Sequence, residues 1–238
     1  MIKDPPLLKI RRFSRTFELE SLASIQGIPL GYLVDAMDGR GALNHQIRLL
    51  EGLTGDSKLF GPALTCDCGP GDNLGMFGAV AEAQPGDVIV AATDAFEGSC
   101  LTGDLLMGMA RNRKVAGLVT DGLVRDAFGI KEVGLPVFCR GITPNSPVRN
   151  GPGTIGFPIV LGGVQVESGD IIAADSEGVV VIPKHKLSQV LKRITEIILA
   201  ESKTENAVAE GMEIFDSVKE LLESNRVEYF DESKPYIG

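Results

Sequence analysis

From residue 59 to residue 139 the chain alternates short apolar runs with amphipathic ones, and no other pattern in it narrows the choice of fold as far. The runs at 59–66, 87–92, 115–120 and 135–139 are strand-length and largely apolar, as expected of strands covered on both faces. Between them, residues 73–83 and 105–111 carry helical spacing, and a further helix is expected to open at Arg125 and Asp126. This alternation predicts an α/β architecture with parallel pairing. Beyond Gly141 the texture changes to a Gly/Pro-rich passage at 143–158, then short β segments at 159–161, 164–166, 171–173 and 179–182. Those segments, with their Gly-Gly and Ser-Gly-Asp turns, predict a second, partly antiparallel sheet. Residues 16–38 read as an N-terminal helical layer broken at Gly27-Ile28-Pro29. The tail from 186 to about 223 reads as a long charged helix, either solvated or bridging subunits, with the apolar face of Ile194, Ile197 and Ile198 favouring bridging.

A chain of 238 residues can bury a core without disulfides. The formal charge of −9 argues against a nucleic-acid partner, whose phosphates need clustered Lys and Arg. It also makes a single arginine in a cleft more telling as an anion hook. No window approaches about 18 uncharged apolar residues and the N-terminus lacks a leader pattern, so a soluble, cytoplasmic protein with no membrane partner is expected. The Cys66/Cys68 spacing is too short for the usual zinc pair, and Cys100 and Cys139 are scattered, so reduced, buried or semi-buried thiols are expected. His45 and His185 are poorly placed for a catalytic triad or a His-rich metal site.

The chemistry concentrates at Gly103-Asp104-Leu105-Leu106 and, after twenty residues beyond Asp104, at Arg125-Asp126. Turns leading from strand into helix share one edge of a right-handed βαβ sheet, so helix, strand and turn bring Asp104, Arg125 and Asp126 together. A cation at a helix N-terminus opposes the dipole, so Arg125 needs another reason to be there. Binding a carboxylate together with the amides of Leu105 and Leu106 is such a reason. Asp126 is one hard oxygen ligand, suited to a Mg²⁺ or Mn²⁺ ion that keeps several waters. Helix capping by each aspartate plus one surface Arg-Asp pair accounts for the same residues without chemistry. Asp72 or Asn73, in Pro70-Gly71-Asp72-Asn73, is either a cap or a border of the same edge. Gly151-Pro152-Gly153-Thr154-Ile155-Gly156 matches G-x-G-x-x-G, but no strand precedes it and no helix follows, so a Gly-rich loop is expected.

At these residues the chain resembles the HMG/CHA aldolases, the metal-dependent class II pyruvate aldolases of the RraA-like superfamily, which also contains the RraA regulators of ribonuclease E. The resemblance runs through Gly61-Pro62-Ala63-Leu64-Thr65, Pro70-Gly71-Asp72-Asn73, Gly86-Asp87-Val88-Ile89-Val90, Gly103-Asp104-Leu105-Leu106 and Asp121-Gly122-Leu123-Val124-Arg125-Asp126. It continues in Gly169-Asp170-Ile171-Ile172-Ala173-Ala174-Asp175-Ser176-Glu177-Gly178-Val179. The discriminating motif, D-x20-R-D, is intact, whereas RraA-type regulators typically carry Gly where this chain has Asp104. The resemblance implies a layered β/β/α core in a single domain over 1–238, with a helical extension from about 186, assembled as a homotrimer or homohexamer with the site between subunits. It implies cleavage of 4-hydroxy-4-methyl-2-oxoglutarate or 4-carboxy-4-hydroxy-2-oxoadipate to pyruvate and a 2-oxo acid, with oxaloacetate decarboxylation on the side. Arg125 and the amides of Leu105 and Leu106 would hold the pyruvyl carboxylate, with Gly103 and Asp104 also lining the substrate, while Asp126 would hold a divalent metal and Asp104 would carry the proton. A glutamate from a neighbouring subunit would reach the metal's water, with Glu201 at the matching position. Residues 93–102 would line the wall for the substrate's distal end. Two alternatives remain: a Schiff-base aldolase using Lys184, and a regulator without turnover that binds ribonuclease E or another protein.

Overall fold

The four largely apolar runs become β3 (Leu59–Asp67), β4 (Val88–Ala92), β6 (Gly117–Thr120) and β8 (Val137–Cys139) in the computed structural model, which describes residues 6–14, 25–50, 52 and 58–230. They lie parallel in that order, with Leu64 opposite Ile89, Ile89 opposite Leu118 and Val119 opposite Phe138. Between them run α2 (Leu74–Glu82), α3 (Asp104–Asn112) and α4 (Ala127–Val133). Side-chain alternation along the strands sorts the core into two layers. Leu64, Cys66, Ile89, Ala91 and Leu118 pack with Met76, Ala79, Met107, Ala110 and Ile130 from the three helices. On the other face, Ala63, Val88, Val90, Val119 and Phe138 pack with Leu161, Val166, Ile172 and Val181. Each fully buried Val, Leu or Ile contributes roughly 1.5–3 kcal/mol, and both faces are therefore needed to hold the parallel strands.

The second layer is the group of short strands expected after residue 158. The hairpin β11 (Ile159–Leu161) and β12 (Val164–Val166) stands as its own two-stranded sheet. The antiparallel pair β13 (Ile171–Asp175) and β14 (Gly178–Ile182) instead joins the first half of β3, with Ile172 opposite Gly61. The expected glycine-rich loop at 151–156 needs correction. Its centre is a strand, β10 (Gly153–Ile155), antiparallel to the end of β3 and parallel to β1 (Leu8–Ile10). Here glycine serves close packing rather than a phosphate, since a Cβ on Gly153 would lie 3.1 Å from the Asp67 carbonyl oxygen and 3.1 Å from Gly75 Cα. A short strand β2 (Arg48–Leu49) closes the far edge against β8.

Of the N-terminal helical layer, α1 (Leu30–Ala36) is present and buries Leu30, Leu33 and Ala36, while residues 15–24 lie outside the described part. The chain divides into two compact units, Met1–Ile194 and Thr195–Gly238. The first turns of α5 (Leu187–Ala209) belong to the first unit, where Val190 and Ile194 are buried. The second unit holds the rest of α5 and α6 (Asp216–Leu222). The tail is thus two helices rather than one, interrupted at Gly211, whose φ of +102° no L side chain readily adopts. No helix among the described residues is long and apolar enough to cross a membrane.

All four cysteines are free and buried. Cys66 and Cys68 share a face, as the strand reading requires, with their sulfurs 4.0 Å apart. Burial pushes the Cys139 thiol up to about 11, so it stays protonated at neutral pH. Titration of the native protein with a thiol-specific disulfide reagent at pH 8 is therefore expected to modify none of the four within minutes, and all of them after denaturation. Rapid native labelling would contradict this packing.

Candidate active site

The two chemical turns meet because each strand that feeds them is doubled. The chain leaves β4, crosses 93–99, and forms β5 (Cys100–Thr102) before Gly103 and α3. From β6 it passes through Asp121 and Gly122 to β7 (Leu123–Val124), then Arg125, Asp126 and α4. With β9 (Gly141–Ile142), these short strands make a separate parallel sheet in the order β5-β7-β9, which pairs Thr102 with Val124. The Arg125 amide continues that ladder by donating to the Thr102 carbonyl at 2.9 Å.

This pairing corrects one expectation, because α4 opens at Ala127 and Arg125 stands before it in extended pairing. Asp126 occupies the cap position in left-handed backbone (φ 54°, ψ 40°), yet its side chain makes no capping hydrogen bond. That conformation costs about 1 kcal/mol in a residue other than glycine, and helix capping does not repay it here. The Asp126 carboxylate is turned instead to Arg125, with Nε 3.1 Å from Oδ2. Asp104 does not cap α3 either, being its first residue; its Oδ1 accepts the Leu105 amide at 2.7 Å. Gly103 sits between the turns, since a Cβ there would fall 2.5 Å from Asp126 Oδ2 and 3.1 Å from Arg125 Cγ. So the structure does bring Gly103, Asp104, Leu105, Arg125 and Asp126 to one sheet edge.

Arg125 is also held by a residue that carried no signal in the sequence: Nη1 donates to Ser146 Oγ at 2.6 Å. The segment bearing Ser146 is tied down by Cys100 N–H to the Asn145 carbonyl (2.9 Å) and by Asn145 Nδ2 to the Gly98 carbonyl (3.1 Å). With Nε on Asp126 and Nη1 on Ser146, Nη2 has no protein partner among the described residues. The Arg125 and Asp126 side chains remain 39% and 45% exposed, and their pair adds at most about 1 kcal/mol to stability. Flanking them, Leu105 and Phe128 are 76% and 75% exposed.

Two other carboxylates at this end of the sheet are occupied by backbone amides. Asp72 accepts from Leu74 (2.7 Å), Asn150 (2.6 Å) and Gly151 (2.9 Å), so it fastens the turn before α2. Asn73 stands at the cap position of α2 without a side-chain bond to the helix. Asp121 accepts from the Thr93 amide (2.7 Å), the Thr93 hydroxyl (3.0 Å) and the Ala95 amide (3.0 Å), fixing the segment that leads into β5. Lys184 donates to Glu167 (3.2 Å) and to the Ser168 carbonyl (3.1 Å), which anchor its side chain. Glu201 lies on the part of α5 in the second unit, where its side chain makes no hydrogen bond or ion pair among the described residues.

No group of three His, Cys, Asp or Glu among the described residues could enclose a metal. Asp126 alone is compatible with a hard divalent ion that keeps most of its waters, a demand for one available carboxylate rather than a cage. A hollow of about 410 Å³ lies elsewhere, lined by Leu59, Ala116 and Ala174 at the opposite ends of the parallel strands, where open α/β sheets do not place ligands.

Residues 31–181, which contain the whole Asp104, Arg125 and Asp126 constellation, match the family model described as RraA-like, Aldolase/RraA. The chain belongs to the RraA-like family. A "Putative 4-hydroxy-4-methyl-2-oxoglutarate aldolase" of Halalkalibacterium halodurans is 36% identical over 198 residues, 82% of this chain and 91% of that protein. This upholds the resemblance to the HMG/CHA branch of the RraA-like superfamily. Among solved structures, RraAS2 of Streptomyces coelicolor, titled an unusual member of the RNase ES inhibitor RraA protein family, superposes with a TM-score of 0.69 at 26% identity, covering 80% of this chain and 98% of that one. A Geobacillus kaustophilus structure titled S-adenosylmethionine: 2-dimethylmenaquinone methyltransferase gives 0.60 at 28% identity, covering 66% and 96%. The relative and the fold neighbours thus carry names from three functional classes, so the fold alone does not set the reaction.

Proposed function

We propose that this RraA-like protein is a divalent-metal-dependent pyruvate aldolase, a lyase acting on 4-hydroxy-2-oxo di- or tricarboxylates such as 4-hydroxy-4-methyl-2-oxoglutarate or 4-carboxy-4-hydroxy-2-oxoadipate. The observation that carries this reading is Arg125: clamped by Asp126 and Ser146, it keeps one guanidinium nitrogen open beside the start of α3. In this reading the pyruvyl carboxylate lies between Arg125 Nη2 and the amides of Leu105 and Leu106. It then competes for the Leu105 amide that Asp104 occupies at 2.7 Å, so substrate binding releases the Asp104 carboxylate. The freed Asp104, acting through a water, takes the proton of the C4 hydroxyl as the C3–C4 bond breaks, leaving a C4 carbonyl on the departing 2-oxo acid, and returns the proton to the C3 carbon of the pyruvate enolate. Asp126 would hold Mg²⁺ or Mn²⁺, which when bound supplies Lewis-acid polarisation of the 2-oxo group.

Exposure of Arg125, Asp126, Leu105 and Phe128 on one chain supports a site completed by a second copy in a trimer or hexamer. Glu201 of a neighbouring subunit would be the added acid. Oxaloacetate decarboxylation follows from the same machinery, since that reaction also passes through the enolate of pyruvate.

The test is pyruvate release from these substrates and from oxaloacetate with Mg²⁺ or Mn²⁺, measured through lactate dehydrogenase. EDTA is expected to abolish release, and Asp104→Asn to lower kcat about 10²–10⁴-fold with KM little changed. Turnover indifferent to EDTA would rule out the metal route. No turnover on any 4-hydroxy-2-oxo acid, together with tight binding of a ribonuclease, would point to the regulator instead.

A further inference from the structure

The two turns of the site interlock through glycines, and the second of these lies on α4 outside the motif. A Cβ on Gly129 would stand 2.5 Å from Asp104 Oδ2, 2.7 Å from Asp104 Cβ and 3.0 Å from Asp104 Cγ. Since Oδ1 is held by the Leu105 amide at 2.7 Å, one carboxylate oxygen is bound and the other rests where residue 129 has no side chain. Rotating the carboxylate could relieve the contact to Oδ2. It cannot relieve the contact to Cβ, which is fixed to the backbone of α3, so a methyl at 129 forces the two helix starts apart.

Conformational freedom does not account for this glycine. Its φ is not left-handed, and it sits inside a seven-residue helix, where alanine is the better helix former. We propose that Gly129 is the positioning residue for Asp104: the missing side chain sets where the carboxylate stands, and it is required only while position 104 carries a side chain. The catalytic consequence rests on the reading of Asp104 as proton carrier, whereas the steric seat stands without it.

The experiment compares the wild type, Gly129→Ala, Asp104→Gly and the double variant by thermal unfolding, and the first two by pyruvate release with Mg²⁺. In the wild-type background Gly129→Ala is expected to lower Tm by roughly 3–10 °C. It should also lower kcat at least about tenfold and raise KM, because parting the helix starts moves Asp104 and the Leu105 and Leu106 amides away from Arg125. In the Asp104→Gly background the same alanine should leave Tm unchanged or raise it by about 2 °C, a loss of the penalty that the steric seat predicts. Equal losses of Tm in both backgrounds, or wild-type kcat in Gly129→Ala, would overturn the proposal. If the wild type itself releases no pyruvate, the aldolase reading falls, and the two Tm differences still decide the steric claim.

Discussion

Replacing Arg125 by alanine is expected to lower kcat/KM for pyruvate release by about 10²–10⁴, two charge-assisted hydrogen bonds at roughly 1.5–3 kcal/mol each. Most of the loss should appear in KM, since the carboxylate is held alike in ground and transition states. Arg125→Lys is the sharper variant. The guanidinium reaches Asp126 through Nε at 3.1 Å and Ser146 through Nη1 at 2.6 Å while presenting Nη2 outward. A lysine ammonium cannot satisfy three directions with one nitrogen, so Lys should recover no more than about tenfold of the loss. Because the exposed Arg125-Asp126 pair adds little stability, Tm should hardly move, which separates a binding defect from unfolding. A wild-type KM in Arg125→Ala would refute the assigned role.

Replacing Asp126 by alanine is expected to reduce turnover by at least about 10³-fold at saturating substrate, as for loss of an obligatory Lewis acid. Manganese binding followed by electron paramagnetic resonance should be lost in parallel. Alanine at this position also frees Arg125 Nε, so Asp126→Asn is the companion: it keeps an oxygen for Nε and removes the charge that attracts the ion. The Asp126→Asn variant should therefore lose metal and turnover while still binding pyruvate as a competitive ligand. Turnover within tenfold of wild type in either variant would reject Asp126 as the metal anchor.

The sequence exposed these residues unevenly, and the reasons are physical. Strands β3, β4, β6 and β8 were legible because burial on both faces leaves their segments largely apolar. The two-residue strands β7 and β9 were not, because no periodicity survives in two residues. Missing β7 put Arg125 inside a helix, whereas its amide in fact continues a ladder to Thr102. Strand β10 was hidden for a related reason: Gly153 reads as loop until Gly75 is seen packed against it. Ser146 and Gly129 carried no signal at all, since a hydroxyl in a loop and a glycine in a helix acquire meaning only from what approaches them.

By itself, then, the sequence determined the α/β alternation and the spacing from Asp104 to Arg125 and Asp126, because hydrophobic period and chain length are properties of the chain read in order. Only the tertiary structure decided which carboxylates are free for chemistry. Asp72 and Asp121 are taken up by three backbone or hydroxyl donors each, while Asp126 faces a half-exposed arginine and caps nothing. The same residue type appears in all three places. What differs is the set of donors that folding brings within hydrogen-bonding distance, and that distance is fixed by strands and loops far apart in the chain.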